Sequence, residues 1–162
     1  VQGVALLPDE FQGGDFQQAD LLHLSMPGVI NPRYPEQSSL ELSGDEYSPL
    51  GVLLRPVDLQ SQQLSAKLVF LSATRMEEYP TSNFSAPSGL IPVFLGTGAR
   101  SVIVNTMGEG GDADQSFITD FYRKLELSGN VATAFRNARL QYLEDNRDTG
   151  LYDWAGYQLF IN

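Results

Sequence analysis

The sequence contains no cysteine. Disulfides, thiolate metal sites and a thiol nucleophile are therefore excluded. Histidine occurs once, at His23, so imidazole chemistry has a single candidate. Basic residues are few: ten Lys and Arg stand against twenty Asp and Glu, for a formal net charge of −10. That balance argues against nucleic acid as a partner, because a phosphate backbone calls for a Lys/Arg footprint. The acidity reads instead as solubility. No apolar run approaches the length that crosses a bilayer, and no signal-peptide pattern opens the chain, so no membrane contact is expected. Internal repeats and low-complexity tracts are missing as well.

What is present is an ordinary globular balance, 42% hydrophobic and 19% charged. A chain of 162 residues fits one domain, here taken as 1–162, and can bury roughly 70% of its unfolded surface. It opens on Val1 in mid-theme and reads as an N-terminally incomplete piece of a longer protein.

Three continuous apolar runs read as strands covered on both faces: Leu21 to Met26, Lys67 to Ala73 and Ser101 to Thr106. Val4 to Leu7 is a further short strand candidate, and Tyr157 to Ile161 a last one. The stretch Val29 to Ser65 is rich in turn residues. Within it, Ser39 to Leu42 and Val52 to Leu54 can pair as a small hairpin, and Pro56 to Gln60 can open a short helix. Arg75 to Ser88 reads as a polar loop, and Gly89 to Leu95 as a helix ending at Gly96 or Gly98. The clearest helix has Phe117, Phe121 and Leu125 on one face, widened by Ile118. Asp112 or Asp114 can cap it, Arg123 and Lys124 fall in its last turns, and Gly129 ends it. Asn130 then caps a second helix with Val131, Phe135, Ala138 and Tyr142 on its apolar face, Arg136 and Arg139 pointing elsewhere. Strands alternating with helices give an α/β class.

Several of these segments, in this order, carry a resemblance. Leu22-His23-Leu24-Ser25, Lys67 to Ala73, Gly89 to Ile103, Phe121 to Leu125, Ala134 to Arg139 and Asp153 to Tyr157 resemble a CHAT domain, the caspase-like module associated with TPR repeats. The likeness runs from about Asp20 to Phe160. It implies a caspase-like three-layer sandwich, a mainly parallel sheet flanked by helices. It also implies a bacterial, cytoplasmic protein and TPR or other helical repeats of the parent chain as neighbours. Such domains carry strands ahead of the one that ends in histidine, so a central strand is expected from residues upstream of Val1.

Active members of the clan, which includes caspases, separases and gingipains, place a histidine after one strand and a nucleophilic cysteine after the next. In this chain those places hold Pro27 and Thr74. Proline has no titratable group, and a threonine hydroxyl is a poor nucleophile without a base. His23 lies four residues before Pro27, roughly 13 Å along a strand, whereas a base must come within about 3 Å of its proton. His23 is therefore expected as a hydrogen-bonded core residue. Ser72 and Thr74 share a face by the strand period, with no base in view for either.

The resulting reading is a pseudo-protease without a functioning dyad, a protein- or peptide-binding scaffold that requires no cofactor. Its peptide surface is expected at Met26, Gly28, Ser72, Arg75, Glu109 and Asp112, around the ends of the three strands. The alternative is a peptidase with Thr74 or Ser72 as an unusual nucleophile, completed by residues outside the fragment. Glu109, Asp112 and Asp114 form an acidic loop that suits Ca²⁺. Capping of the following helix by the two aspartates is the favoured reading, so no metal is expected. Gly96-Thr97-Gly98 lies between helix and strand, the reverse of a dinucleotide site, and reads as a tight turn. Trp154 is expected to pack against the sheet.

Overall fold

The computed structural model describes residues 14–42, 51–76, 89–106, 112–145 and 156–162, with the side chains of 14, 15, 75, 76 and 112–114 left aside. The elements in chain order are α1 (Gly14–Gln18), β1 (Leu21–Leu24), β2 (Gly28–Ile30), a 3₁₀ turn (Pro35–Gln37), β3 (Ser39–Leu42), β4 (Val52–Leu54) and α2 (Pro56–Leu59). They continue with β5 (Leu68–Leu71), β6 (Thr74–Met76), α3 (Leu90–Gly96), β7 (Ser101–Asn105), α4 (Asp112–Ser128), α5 (Val131–Asp145) and β8 (Tyr157–Ile161).

The main sheet has the order β1-β5-β7-β8. β1, β5 and β7 run parallel, and β8 closes one side antiparallel to β7. All four residues of β5 and all five of β7 are buried, as expected for strands covered on both faces. The two-residue period sorts their side chains into two cores. Val69, Leu71, Val102 and Val104 meet Leu90, Ile91 and Phe94 of α3 and Leu59 of α2. Leu68, Phe70 and Ile103 meet Phe117 and Phe121 of α4 and Phe135, Ala138 and Tyr142 of α5. A sheet between two helical layers is the three-layer α/β architecture implied by the resemblance.

Local chemistry explains the long helices. Gly129 ends α4, and the Thr133 amide donates to the Asn130 side-chain oxygen at 2.9 Å, capping α5. The start of α4 falls at Asp112, but the capping roles assigned to Asp112 and Asp114 lie outside the described side chains. Arg123 and Lys124 lie in the last two turns of α4, which runs to Ser128, and both pair with the Asp120 carboxylate. Arg139 does not face away from the apolar side: its guanidinium lies 5.6 Å from the Phe135 ring centroid. Gly96 to Gly98 is the expected turn, with Gly98 donating to the Leu95 carbonyl.

Two strands escaped the sequence reading. β2 falls at the start of the stretch read as turns, and β6 in the stretch read as a polar loop. They pair in parallel and join the expected β3–β4 hairpin in a second sheet of order β4-β3-β2-β6. α1 is a further element not expected from the sequence. The expectations for Val4 to Leu7 and for Trp154 fall outside the described residues. Among the described residues no helix is long and apolar enough to cross a membrane.

Candidate functional site

β1 and β5 are parallel neighbours in register, Leu24 opposite Leu71. Each chain segment then leaves the main sheet and re-forms as a strand of the second one. β2 and β6 are parallel neighbours too, Gly28 opposite Thr74, Val29 opposite Arg75 and Ile30 opposite Met76. The segments 25–27 and 72–73 thus cross side by side from one sheet to the other. Pro27 and Thr74 flank this crossing at the carboxyl ends of parallel strands, where functional groups collect in open α/β sheets.

At Pro27 the backbone carbonyl accepts the Glu41 amide at 2.7 Å, tying the crossing to β3, while the residue itself is exposed. Gly28 is closely hemmed in. A Cβ there would stand 2.7 Å from Leu40 Cδ2 and 3.0 Å from Thr74 Cγ2, so only glycine lets β2 lie this near its neighbours. Thr74 is fully buried, and its hydroxyl donates to the Asn105 carbonyl at 2.8 Å. That bond ties β6 to the end of β7, in a contact 31 residues distant in sequence. A hydroxyl with no exposure and its proton already given to a carbonyl is a structural group.

Ser72 has different company. The strand alternation that sends Leu22 and Leu24 into the α3 core sends His23 to the α4 face. There the imidazole stacks on Phe70, with ring centroids 4.9 Å apart and planes at 12°, and lies 5.6 Å from the Tyr122 ring. Its Nε2 is 2.9 Å from the Ser72 hydroxyl. The expectation that neither Ser72 nor Thr74 has a base nearby is thus corrected for Ser72. Ser72 follows β5 two residues beyond Phe70, within reach of an imidazole from the neighbouring strand. The chain leaves β5 after Leu71 and Thr74 opens β6 of the second sheet, so Ser72 and Thr74 do not share one strand face. Burial disfavours the imidazolium and holds the His23 pKa below its ordinary value. Burial also drives the Tyr122 phenol pKa upward.

The remaining surface candidates divide. Met26 is half-buried and packs against the α3-side core, so only part of it faces outward. Arg75 has its backbone in β6, and the side chains of Arg75 and Asp112 lie outside the described set, as does Glu109 entirely. Among the described residues no group of three His, Asp or Glu side chains is placed to hold a metal ion. Asn105 and Tyr122 were not singled out from the sequence. Nothing in a strand-terminal asparagine or a helical tyrosine announces a partner so far along the chain.

The model of the CHAT domain matches residues 5–162. The chain belongs to the CHAT domain family. A search of curated proteins finds no match to it. The family is caspase-like, and in this CHAT domain Pro27 follows β1 and Thr74 opens β6, on either side of the crossing.

Proposed function

We propose that this CHAT domain is a pseudo-protease that works as a protein- or peptide-binding scaffold. One observation carries the reading: the threonine at the nucleophile position is wholly buried and spends its hydroxyl proton on the Asn105 carbonyl. The proline at the partner position offers no acid or base. What persists is the crossing itself, with exposed Ser25 and Pro27 and half-buried Met26 beside it. These residues, with Arg75, Glu109 and Asp112, are the surface proposed for a peptide segment or partner domain, whereas Gly28 and Ser72 are buried and offer it no contact of their own. TPR or other helical repeats of the parent chain are the proposed partners, in a bacterial cytoplasm. The acidic balance of the chain supports a protein partner over nucleic acid.

The reading is tested in two steps. A broad fluorogenic peptide library should give no cleavage that disappears in Thr74→Ala, since that hydroxyl is structural. A partner recovered with the parent protein should bind the wild-type domain, and Pro27→Asp should weaken that binding at least about tenfold, roughly 1.4 kcal/mol, with unchanged circular dichroism. Thr74-dependent turnover, or binding indifferent to Pro27→Asp and to Met26→Ala, overturns the proposal.

A further inference from the structure

We propose that Ser72 and His23 form a nucleophile–base pair that accepts an acyl group from small activated esters, at a place distinct from Pro27 and Thr74. The inference goes beyond the scaffold reading and does not rest on it.

The pair meets the geometric demand for an activated hydroxyl, with Nε2 and Oγ 2.9 Å apart. The ring is oriented by the Phe70 stack and by Tyr122 beside it, so its edge stays turned to Ser72. The serine is fixed as well, its amide donating to the Leu24 carbonyl at 3.3 Å. Desolvation favours the neutral ring, the form that takes a proton, throughout the neutral pH range. Next to this ring stands a further polar group: the Tyr122 phenol oxygen is buried with no hydrogen-bond partner among the described residues. A phenol can donate, and a ligand oxygen is the kind of partner it lacks.

Exposure sets the substrate class. Ser72 is only 6% exposed, so a polypeptide backbone has no room to lie over its hydroxyl, and the proposal is confined to a short acyl group on a good leaving group. In the step, Oγ bonds to the ester carbonyl carbon while its proton passes to Nε2. The bond from that carbon to the leaving oxygen then breaks, and Nε2 returns the proton to the departing alkoxide. Water repeats the sequence on the acyl-serine, releasing the acid and restoring both residues.

The test uses the whole chain with a small alkyl fluorophosphonate and with a short-chain p-nitrophenyl ester, read by intact mass and peptide mapping. One adduct at Ser72 is expected, absent in Ser72→Ala. In His23→Gln, which keeps a hydrogen-bonding side chain without a base, it should form roughly 100-fold more slowly. The wild-type labelling rate should fall as pH drops below neutral, following loss of the free imidazole. Thermal unfolding checks each variant; should one fail to fold, the wild-type adduct map and pH profile decide alone. Adducts confined to surface groups, a Ser72 adduct indifferent to His23→Gln, or a wild-type rate without an acid limb overturns the proposal. None of those results touches the Pro27→Asp binding test, so the two readings fail separately.

Discussion

His23 shows how a single side chain reports on its surroundings. Its pKa in the folded chain lies below the 6.5 of the free side chain because burial penalises the charged ring. The unfolded chain therefore binds the proton first as pH falls. Stability from this source is intact above pH ~7 and declines through the window below 6.5 until the folded-state ring also protonates. Urea denaturation at pH 7.5, 6.5 and 5.5 should show wild type losing stability relative to His23→Phe across that window. Parallel losses in the two proteins would mean that the imidazole stays as easily charged as in water. The sequence revealed that His23 is unique and belongs to a strand, and so that it is inward-facing. It could not reveal the partner. Ser72 lies 49 residues away, and only the register of β1 on β5 brings them together. The same holds for Thr74: its place just beyond a buried strand was legible, but its bond to Asn105 was not.

Elements long enough to show a period were read correctly, and the missed ones, β2, β6 and α1, are short pieces of three to five residues. β7 announces itself as an unbroken apolar run, and α4 and α5 by their aromatic stripes. β2 and β6 are too short for any period. They exist because two chains leaving one sheet side by side continue to pair. The turn between α3 and β7 was legible from its glycines and makes a sharper prediction. Gly98 has φ of 118°, and a Cβ there would run into the Leu64 carbonyl oxygen, a backbone atom that cannot swing away. Gly98→Ala should cost about 1–3 kcal/mol from the backbone conformation alone, and more if the contact stays rigid. A shift under about 0.5 kcal/mol in chemical denaturation would show that the turn relaxes, and that Leu64 is not held by its bond to Thr97.

At the scale of the whole molecule, the sheet divides the interior into two apolar clusters, one beneath α3 and one beneath α4 and α5. Phe94 and Phe121 are fully buried, one in each. Truncating either to alanine should cost about 3–5 kcal/mol. Because they sit in separate clusters on opposite faces of the sheet, the losses should add, and the sum is comparable to a domain's whole stability of about 5–15 kcal/mol. The double variant is expected to lose its cooperative thermal transition while each single variant keeps one. A double variant little worse than either single would mean that the two faces collapse as one unit. The layered class was legible because strand and helix periods survive averaging over many residues, whereas the second sheet depends on pairings no local pattern encodes.

The Gly28–Thr74 rung has a last consequence. By lashing neighbouring crossover segments together, it removes slack that loops of this kind ordinarily retain. A guest settling over them would meet a platform already frozen in shape, and would lose mainly its own freedom on docking. Recognition there would be governed by fit, with little scope for the platform to remould itself around poorly matched visitors.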